Sequence, residues 1–432
     1  MPIARHGAWL HQHPDTISAF IKLKKAQCLP VYSGSQPRQL VPVIQEFEHL
    51  VTTDSEVTAA FTTMMKEGVN SDIPDLKTLL ELLNETIAEA PQCIPEDDPI
   101  GIPMYAILKQ FVEKPTSYIV FTNPKVNAQI QKIFKVWTRF LVSPSSRDTL
   151  TTNDDGWFGP HGTKLMPNFV RDFACRPNQP HFGFTSWDDF FVRKLNPGAR
   201  PIASPDDNLI INCACDSACY RTASNVEAHQ SFWLKGQTYS LYHILDDHDL
   251  TSQFVGGTVM QATLSPTDYH RWHTPINGRI IDTKLVKGTF YAPSPTEAGT
   301  FPEKKPNGPQ AEFEDIISRS QGFMTAFSTR ALIFIECVDP RVGLMCFVGI
   351  GLGEVSTCEI TVDKNEMVKK GDEIGMFHFG GSTHCLIFRP GVDIHFVNGL
   401  GQPLAKDDKL VINAKLAEVV SNELEPMPVD SV

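Results

Sequence analysis

The chain has 432 residues, a length that exceeds one ordinary domain and suits two. Hydrophobic residues make up 41% and charged residues 20%, which is typical of a soluble globular protein. Its 38 Lys and Arg residues against 50 Asp and Glu residues give a net charge of -12. Because nucleic acids and anionic membranes attract positively charged surfaces, this charge disfavours both as the main partner.

Three further features predict a cytoplasmic protein. No apolar run reaches the ~20 residues that a membrane-spanning helix needs, so no integral membrane contact is expected. Residues 1–16 lack the apolar segment of a secretory signal. The ten Cys residues are scattered among apolar neighbours, which is typical of reduced, buried thiols in the cytosol.

Residues 1–178 are predicted to form a helical region. Apolar side chains recur at helical spacing in three stretches: Leu40–Met65, Leu76–Leu83 and Val126–Phe140. Breaks rich in Pro, Asp and Ser occur at Pro95–Pro99 and Ser143–Gly156. This region contains no cluster of acids and bases, so we expect a scaffold or dimer surface rather than a second active site.

Residues 179–432 are predicted to form a mainly β catalytic domain. Six short runs favour strands and are bounded by turn residues: Leu209–Cys213, Gly257–Thr263, Gly278–Leu285, Ala331–Cys337, Gly343–Ile350 and Glu354–Val362. The proline-rich segment Pro295–Pro309 is predicted to be a loop. The fold class is therefore α+β, a helical N-terminal region followed by a mainly β core.

The segment Phe377-His-Phe-Gly-Gly-Ser-Thr-His384 contains the candidate nucleophile. Ser382 follows two glycines, and glycine lets a backbone bend sharply and lets another group approach its carbonyl closely. The Ser382 hydroxyl could therefore attack the carbonyl carbon of Gly381. Taken alone, Gly-Gly-Ser is most often an ordinary tight turn.

Two other segments supply candidate acids and bases. Asp268–Gly278 contains His270 and His273, which by themselves could be metal ligands, acid–base groups or surface residues. Asp216 follows an apolar run and by itself is a turn residue. Together, an Asp, a His and a Ser on one β scaffold are the minimum set that activates a hydroxyl.

Neither a metal nor pyridoxal phosphate (PLP) is expected as a cofactor. Cys213, Cys215 and Cys219 have a spacing that matches no standard zinc site. A pyridoxal enzyme would have a large domain of alternating helices and strands with an imine-forming Lys. The β-rich core predicted here disfavours that architecture.

Together the segments resemble the phosphatidylserine decarboxylase family over roughly residues 184–411. Four motifs carry the resemblance in the family's order: Phe184–Pro201, Trp233–Leu241, Leu264–Pro275 and Val368–Thr383. The last two resemble the family's double-histidine and self-cleavage motifs. The sequence departs from the family at three places: Asn212–Ser217 replaces Ser-Pro-Ala-Asp-Gly, Ser328 replaces Asn, and Gly380 replaces Leu.

The resemblance implies a self-cleaving proenzyme. Asp216 would orient His273, His273 would take the proton of Ser382, and the hydroxyl would attack the Gly381 carbonyl. The chain would be cut between residues 381 and 382, leaving Ser382 as a pyruvoyl group on a small partner chain, 382–432. That cofactor would condense with a substrate amine and accept the electrons released with carbon dioxide, and His270 would return a proton.

The resemblance also implies a substrate class. The helical N-terminal region and the Gly-Gly-Ser site are similar to the soluble fungal branch of the family, which includes the L-tryptophan decarboxylase of the psilocybin pathway. We therefore expect a free aromatic amino acid as the substrate, with tryptophan giving tryptamine as the first choice. Phosphatidylserine, giving phosphatidylethanolamine, is the alternative.

A hypothesis from another class rests on Glu359–Phe377. This segment resembles a hairpin of a biotinyl- or lipoyl-type barrel, with Val-Lys-Lys-Gly at its turn. Such barrels can be carriers or binding modules, so a non-enzymatic β-barrel binding module is the second candidate. It predicts an uncut chain without a keto group.

Overall fold

A computed structural model gives the fold of the chain. The residues that it describes are 14–28, 39–70, 72–93, 102–229, 240–296, 320–354 and 357–420. Three sequence predictions lie wholly or mainly outside these residues: the break Pro95–Pro99, the motif Trp233–Leu241 and the loop Pro295–Pro309.

Helices dominate the described part of the N-terminal region. They are α1 (Pro14–Cys28), α2 (Pro42–Thr53), α3 (Ser55–Gly68), α4 (Leu76–Thr86), α5 (Pro103–Val112), α6 (Ser117–Thr122) and α7 (Pro124–Leu141). Shorter helices follow: α8 (Pro160–Leu165), α9 (Phe169–Asp172), α10 (Trp187–Phe191), α11 (Leu241–Ile244) and α12 (Gln321–Phe327). None of the helices in these described ranges is long and apolar enough to cross a bilayer.

The three predicted helical stretches are confirmed, with one division. The stretch Leu40–Met65 forms α2 and α3, because Asp54 between them has an extended backbone that ends α2. The Asp54 side chain then accepts a hydrogen bond from the Val57 N–H and so caps the start of α3. The other two stretches correspond to α4 and α7.

The strands of the described residues form three antiparallel sheets. In chain order they are β1 (Ile210–Asn212), β2 (Ser217–Ser224), β3 (Thr258–Leu264), β4 (Arg271–His273), β5 (Gly278–Val286), β6 (Arg330–Cys337), β7 (Leu344–Leu352), β8 (Cys358–Ile360), β9 (Met367–Val368), β10 (Glu373–Phe377), β11 (Gly381–Phe388), β12 (Ile394–Phe396), β13 (Lys409–Leu410) and β14 (Lys415–Val419). The large sheet has the order β13-β2-β3-β11-β7-β6-β5-β9, and the small sheets have the orders β1-β14-β12 and β4-β10-β8.

Five of the six predicted strands are confirmed by β1, β3, β5, β6 and β7. In the described part of the sixth, Glu354–Val362, β8 covers Cys358–Ile360, and residues 355 and 356 lie outside the described residues. Gly353 has a φ of 61°, so the backbone turns away from β7 there and Glu354 leaves the sheet. The mainly β core after a helical N-terminal region matches the predicted α+β class.

The large sheet has an apolar core on each face. On β11, Cys385 and Ile387 belong to the core that includes side chains of α1 to α7. Leu386 and Phe388 belong instead to the core that includes side chains of β4 and β10. Because successive side chains of a strand point to opposite faces, Ser382 lies on the face of Leu386 and Phe388.

The helical region packs directly on the β core. The ring of Trp137 in α7 lies edge-on to Phe379, with 4.8 Å between centroids, and Phe134 lies 5.0 Å from Phe290 in the same way. One continuous apolar core therefore crosses the predicted boundary between residues 178 and 179. Two separate domains divided at this boundary stay a prediction.

Candidate active site

Ser382 lies at the start of β11, in the interior of the large sheet. It pairs with Leu264 of β3 and with Gly351 of β7, and the residue is only 2% exposed. Within the described residues, its hydroxyl has no hydrogen-bond partner. Leaving a buried hydroxyl unpaired costs about 1–3 kcal/mol, so this arrangement calls for a functional explanation.

Two glycines shape the backbone just before Ser382. Gly380 has a φ of 133°, a conformation that residues with a side chain rarely adopt. At Gly381, a Cβ atom would lie 3.1 Å from the carbonyl oxygen of Leu352 in β7. The chain can therefore bend into β11 at this point because neither residue has a side chain.

Trp272 packs β4 against the face of the large sheet that carries Ser382. Its ring lies over Gly349 of β7, where a Cβ atom would be 2.9 Å from Trp272 Cζ2. Gly349 pairs across the sheet with His384, which is two residues from Ser382 on the same face. The strand β4, which contains His273 and directly follows His270, therefore packs over the face of the sheet that carries Ser382.

His270 lies against the segment that precedes Ser382. Its carbonyl oxygen accepts a hydrogen bond of 2.9 Å from the Phe377 N–H. Its ring stacks on Phe191 of α10 with 3.9 Å between centroids, and Phe191 contacts Phe379 at 5.7 Å. Burial, together with the charge of Arg193, holds the pKa of His270 well below its ordinary value, so the ring is neutral at physiological pH.

His273 contacts a tyrosine that sequence analysis did not select. Its Nε2 lies 3.0 Å from the hydroxyl oxygen of Tyr269, and in the described part of the chain its buried Nδ1 has no partner. Burial lowers the pKa of His273, so the neutral ring can accept a proton. In the sequence, Tyr269 is indicated only by its place in the double-histidine motif, Leu264–Pro275.

Asp216 lies close to β4, but its carboxylate has other partners. The His273 N–H donates to the carbonyl of Ala214 at 2.9 Å, two residues before Asp216. The carboxylate accepts hydrogen bonds from the Ile412 N–H at 2.8 Å and from the Arg200 guanidinium at 3.2 Å. No hydrogen bond joins Asp216 to the His273 ring within the ranges described, so its orienting role stays a prediction.

Two histidines that the sequence analysis did not select lie on either side of Ser382. His384 is fully buried, and burial lowers its pKa to about 3. His378 has a carboxylate oxygen at each ring nitrogen, from Asp188 at 3.0 Å and from Glu359 at 2.8 Å. Both histidines belong to the segment Phe377–His384, but no local pattern indicates the two distant carboxylates.

A pyruvoyl group made from Ser382 fits this site. Conversion of the serine would leave a methyl group where the buried hydroxyl stands, and that hydroxyl has no described hydrogen bond to lose. The neutral ring of His273 belongs to β4, which packs on this face of the sheet, and the neutral ring of His270 belongs to the residue directly before β4. In the described ranges, no cluster of three or more His, Cys, Asp or Glu side chains could hold a metal ion.

Two family models match this chain, one over the β core and one over the helical region. A family model described as phosphatidylserine decarboxylase matches residues 187–408, and a second model with the same description matches residues 41–166. The chain therefore belongs to the phosphatidylserine decarboxylase family, whose members are pyruvoyl-dependent carboxy-lyases. Both the β core and the helical region are parts of that match.

The relatives within the family are of two kinds. The chain is 39% identical to decarboxylase iboD of Amanita muscaria over 305 residues, which cover 69% of this chain and 87% of the relative. It is 32% identical to the L-tryptophan decarboxylase of Psilocybe cubensis over 378 residues, 84% of each chain. Phosphatidylserine decarboxylase proenzyme 3 of Schizosaccharomyces pombe is 28% identical over 270 residues, 62% of this chain and 25% of the relative.

Proposed function

We propose that this protein is a cytoplasmic, pyruvoyl-dependent decarboxylase of a free aromatic L-amino acid, with tryptophan giving tryptamine as the first candidate. It matures by cutting itself between Gly381 and Ser382. The observation that carries the proposal is the buried hydroxyl of Ser382, which has no hydrogen-bond partner among the described residues. It lies two residues after the strained Gly380, on the sheet face against which β4 packs.

The cut itself requires only side chains of this chain and one water molecule. His273 takes the proton of the Ser382 hydroxyl while Oγ bonds to the Gly381 carbonyl carbon. The peptide C–N bond then breaks, and the nitrogen leaves as an amine, which gives an ester. A base next removes the Ser382 Cα proton, the Cβ–Oγ bond breaks, and Gly381 departs as a carboxylate. Water finally replaces the amine, which leaves as ammonia.

Once formed, the pyruvoyl group supplies a carbonyl that condenses with the substrate amine and accepts the electron pair left by carbon dioxide. The protein orients the substrate, excludes water and returns a proton. His270 is the candidate proton donor. It starts neutral because burial lowers its pKa, and a substrate carboxylate beside it would raise that pKa toward the ordinary range.

The share of this chain that aligns with each relative supports a free amino acid as the substrate. The L-tryptophan decarboxylase of Psilocybe cubensis aligns with 84% of this chain, whereas phosphatidylserine decarboxylase proenzyme 3 of Schizosaccharomyces pombe aligns with 62%. The longer alignment includes most of the helical region. A cytoplasmic location is supported by the ten cysteines, all of which are free thiols.

The intact denatured mass of the purified chain, beside that of its Ser382→Ala variant, tests the cut. We expect two wild-type fragments, with residues 382–432 lighter by one ammonia than a fragment that begins with serine, and a single full-length variant. A folded wild type that stays full-length would contradict the pyruvoyl mechanism and favour the non-enzymatic binding module.

Carbon dioxide release then tests the substrate. We expect release from tryptophan, with less from tyrosine and phenylalanine, and none from short-chain phosphatidylserine. The Ser382→Ala variant is the matched control, since it lacks the cofactor precursor. Release from phosphatidylserine alone would instead establish the lipid alternative, with phosphatidylethanolamine as the product.

A further inference from the structure

His378 lies four residues before Ser382 and takes no part in the cut described above. Its Nδ1 is 3.0 Å from Oδ1 and 3.1 Å from Oδ2 of Asp188, and its Nε2 is 2.8 Å from Oε2 of Glu359. A carboxylate accepts hydrogen bonds, so each ring nitrogen must carry a proton to satisfy both partners. The contacts therefore describe an imidazolium ion held between two carboxylates.

Charges around the ring favour this protonated form. Burial by itself would lower the pKa of His378, but the Asp188 and Glu359 carboxylates outweigh it and raise the pKa to about 9. The other acid of α10, Asp189, is turned toward the Thr185 N–H and hydroxyl. At physiological pH the site is thus one cation between two anions.

The three charged residues join three separate parts of the fold. Asp188 belongs to α10, Glu359 to β8, and His378 to the connection between β10 and β11. The side chains of His378 and Asp188 are 18% and 10% exposed, whereas that of Glu359 is 48% exposed. The pair with Asp188 is therefore the better shielded from solvent and the stronger of the two.

The residue after His378 is fixed as well. The ring of Phe379 contacts Trp137 and Trp187, each at 4.8 Å between centroids. Beyond it, only Gly380 separates this anchored point from the first residue of β11, Gly381. The strained φ of Gly380 therefore lies between two fixed ends, the His378 ion pairs and the β11 ladder.

We propose that His378, held by Asp188 and Glu359, is a positioning residue for self-cleavage, which keeps the Gly381 carbonyl in place for attack by Ser382. This inference rests on the proposed function, because it concerns the same bond. It differs from a general contribution to stability in one respect. The positioning requires the positive charge on residue 378, since a neutral imidazole has one N–H and cannot donate to both carboxylates.

The test is a time course of the cut during cell-free synthesis, read as the ratio of fragments to full-length chain. We expect His378→Gln to slow the cut about 10- to 100-fold, since small displacements of reacting atoms have effects of that size. His378→Arg keeps the charge and a forked donor, so it should recover part of the rate. Glu359→Gln should slow the cut less than Asp188→Asn.

His395→Gln is the matched control. It removes another histidine that pairs with an acid, Asp393 at 3.2 Å, but on β12 and with a side chain that is 65% exposed. We expect it to be cut at the wild-type rate. A second readout separates charge from folding: the wild-type rate should fall as the pH rises through about 9, and the rate of His378→Arg should not.

The rates of the cut separate a failure of the positioning role from a failure of the proposed function. A wild type that is cut, with His378→Gln cut equally fast, overturns the positioning role and leaves the proposed function standing. A wild type that is never cut overturns both. If His378→Gln fails to fold, the same comparison is made between Asp188→Asn and Glu359→Gln, and equal wild-type rates in both overturn the role.

Discussion

The indole ring of Trp272 fills the space that Gly349 leaves on β7 by having no side chain. A Cβ atom at Gly349 would lie 2.9 Å from Cζ2 and 3.1 Å from Cη2 of that ring. Trp272 stands between His270 and His273 in the sequence. The contact therefore holds β4, which contains His273 and directly follows His270, against the sheet that carries Ser382.

Replacing Gly349 with alanine should disturb this contact. The added methyl group would have to displace a fully buried indole, so we expect Gly349→Ala to lower the free energy of unfolding by about 1–3 kcal/mol. We also expect the cut at Ser382 to be slower. Urea unfolding in the uncut Ser382→Ala background measures the first effect, and timed synthesis of the cleavable chain measures the second.

Gly399→Ala is the control for this prediction. A Cβ atom at Gly399 would meet nothing within 4 Å, and its φ is not in the left-handed region. The same substitution there should leave both the stability and the cut near the wild-type values. Equal effects of the two substitutions would show that the Trp272 contact does not matter.

Tyr269→Phe should slow the cut because it removes the hydroxyl that contacts Nε2 of His273. We expect a rate lower by about tenfold, a modest loss for one hydrogen bond to an acid–base group. Fragment ratios during timed synthesis measure the rate. Tyr118→Phe, in the helical region, is the control and should be cut normally.

The rate of the cut in Asp216→Asn tests whether Asp216 orients His273, as the family resemblance implies, or whether Tyr269 does so, as the hydrogen bond in the structure indicates. If the cut depends on Tyr269 and not on Asp216, the contacts observed here also operate during the reaction. In the reverse result, Asp216→Asn slows the cut strongly and Tyr269→Phe leaves it at the wild-type rate. That result would mean that His273 exchanges its hydrogen-bond partner before it reacts.

His378 should make stability depend on pH at the alkaline end. Its pKa of about 9 in the folded chain exceeds the ordinary value of 6.5, so its contribution is complete below pH 6.5 and is lost as the pH rises through 9. We expect a contribution of at most about 2 kcal/mol, because solvent screens the half-exposed Glu359.

Urea unfolding of the uncut Ser382→Ala chain, with and without His378→Gln, measures that contribution across the pH range. The difference between the two proteins should shrink as the pH rises. A difference that is constant from neutral to alkaline pH would show that His378 is not the titrating group.

Glu354 should act as a helix cap and not as a charge. Its Oε1 accepts a hydrogen bond of 2.8 Å from the Tyr105 N–H at the start of α5, and burial raises its pKa well above the ordinary value. Glu354→Gln keeps a neutral acceptor and should unfold nearly as the wild type does. Glu354→Ala removes the acceptor and should lower the free energy of unfolding by about 1–3 kcal/mol.

Unfolding of both variants by urea in the Ser382→Ala background checks this assignment. The pair is informative because both substitutions remove the carboxyl group, whereas only Glu354→Ala removes the hydrogen-bond acceptor. Similar losses in both would mean that a charged carboxylate, and not the cap, stabilises the junction between α5 and the end of β7.

Local signals in the sequence located most of the fold, whereas the reactive bond between Gly381 and Ser382 stays a prediction. Apolar spacing found α4 and α7, and short β-branched runs between turn residues found β3, β5, β6 and β7. These signals succeed because they depend on neighbours along the chain. They missed the division at Asp54, where a single side chain caps a helix.

Contacts between distant residues could not be predicted in the same way. His378 and Asp188 are 190 residues apart, and their pairing depends on how α10 packs beside the connection into β11. The partners of Asp216, Arg200 and Ile412, are likewise set by tertiary packing. A resemblance between motifs supplies residue types in order, but it does not say which donor each carboxylate meets.

The place of β11 in the large sheet has a consequence for the mature protein. A cut at Ser382 would leave β11 bonded on both edges to β3 and β7 of the other fragment, while β13 and β14 would still pair with β2 and β1. In the described part of the small fragment, residues 382–420, Leu386 and Phe388 pack among side chains of the large fragment. The enzyme would thus be a heterodimer assembled once, by the folding of its precursor, and fragments made separately would not readily rebuild it.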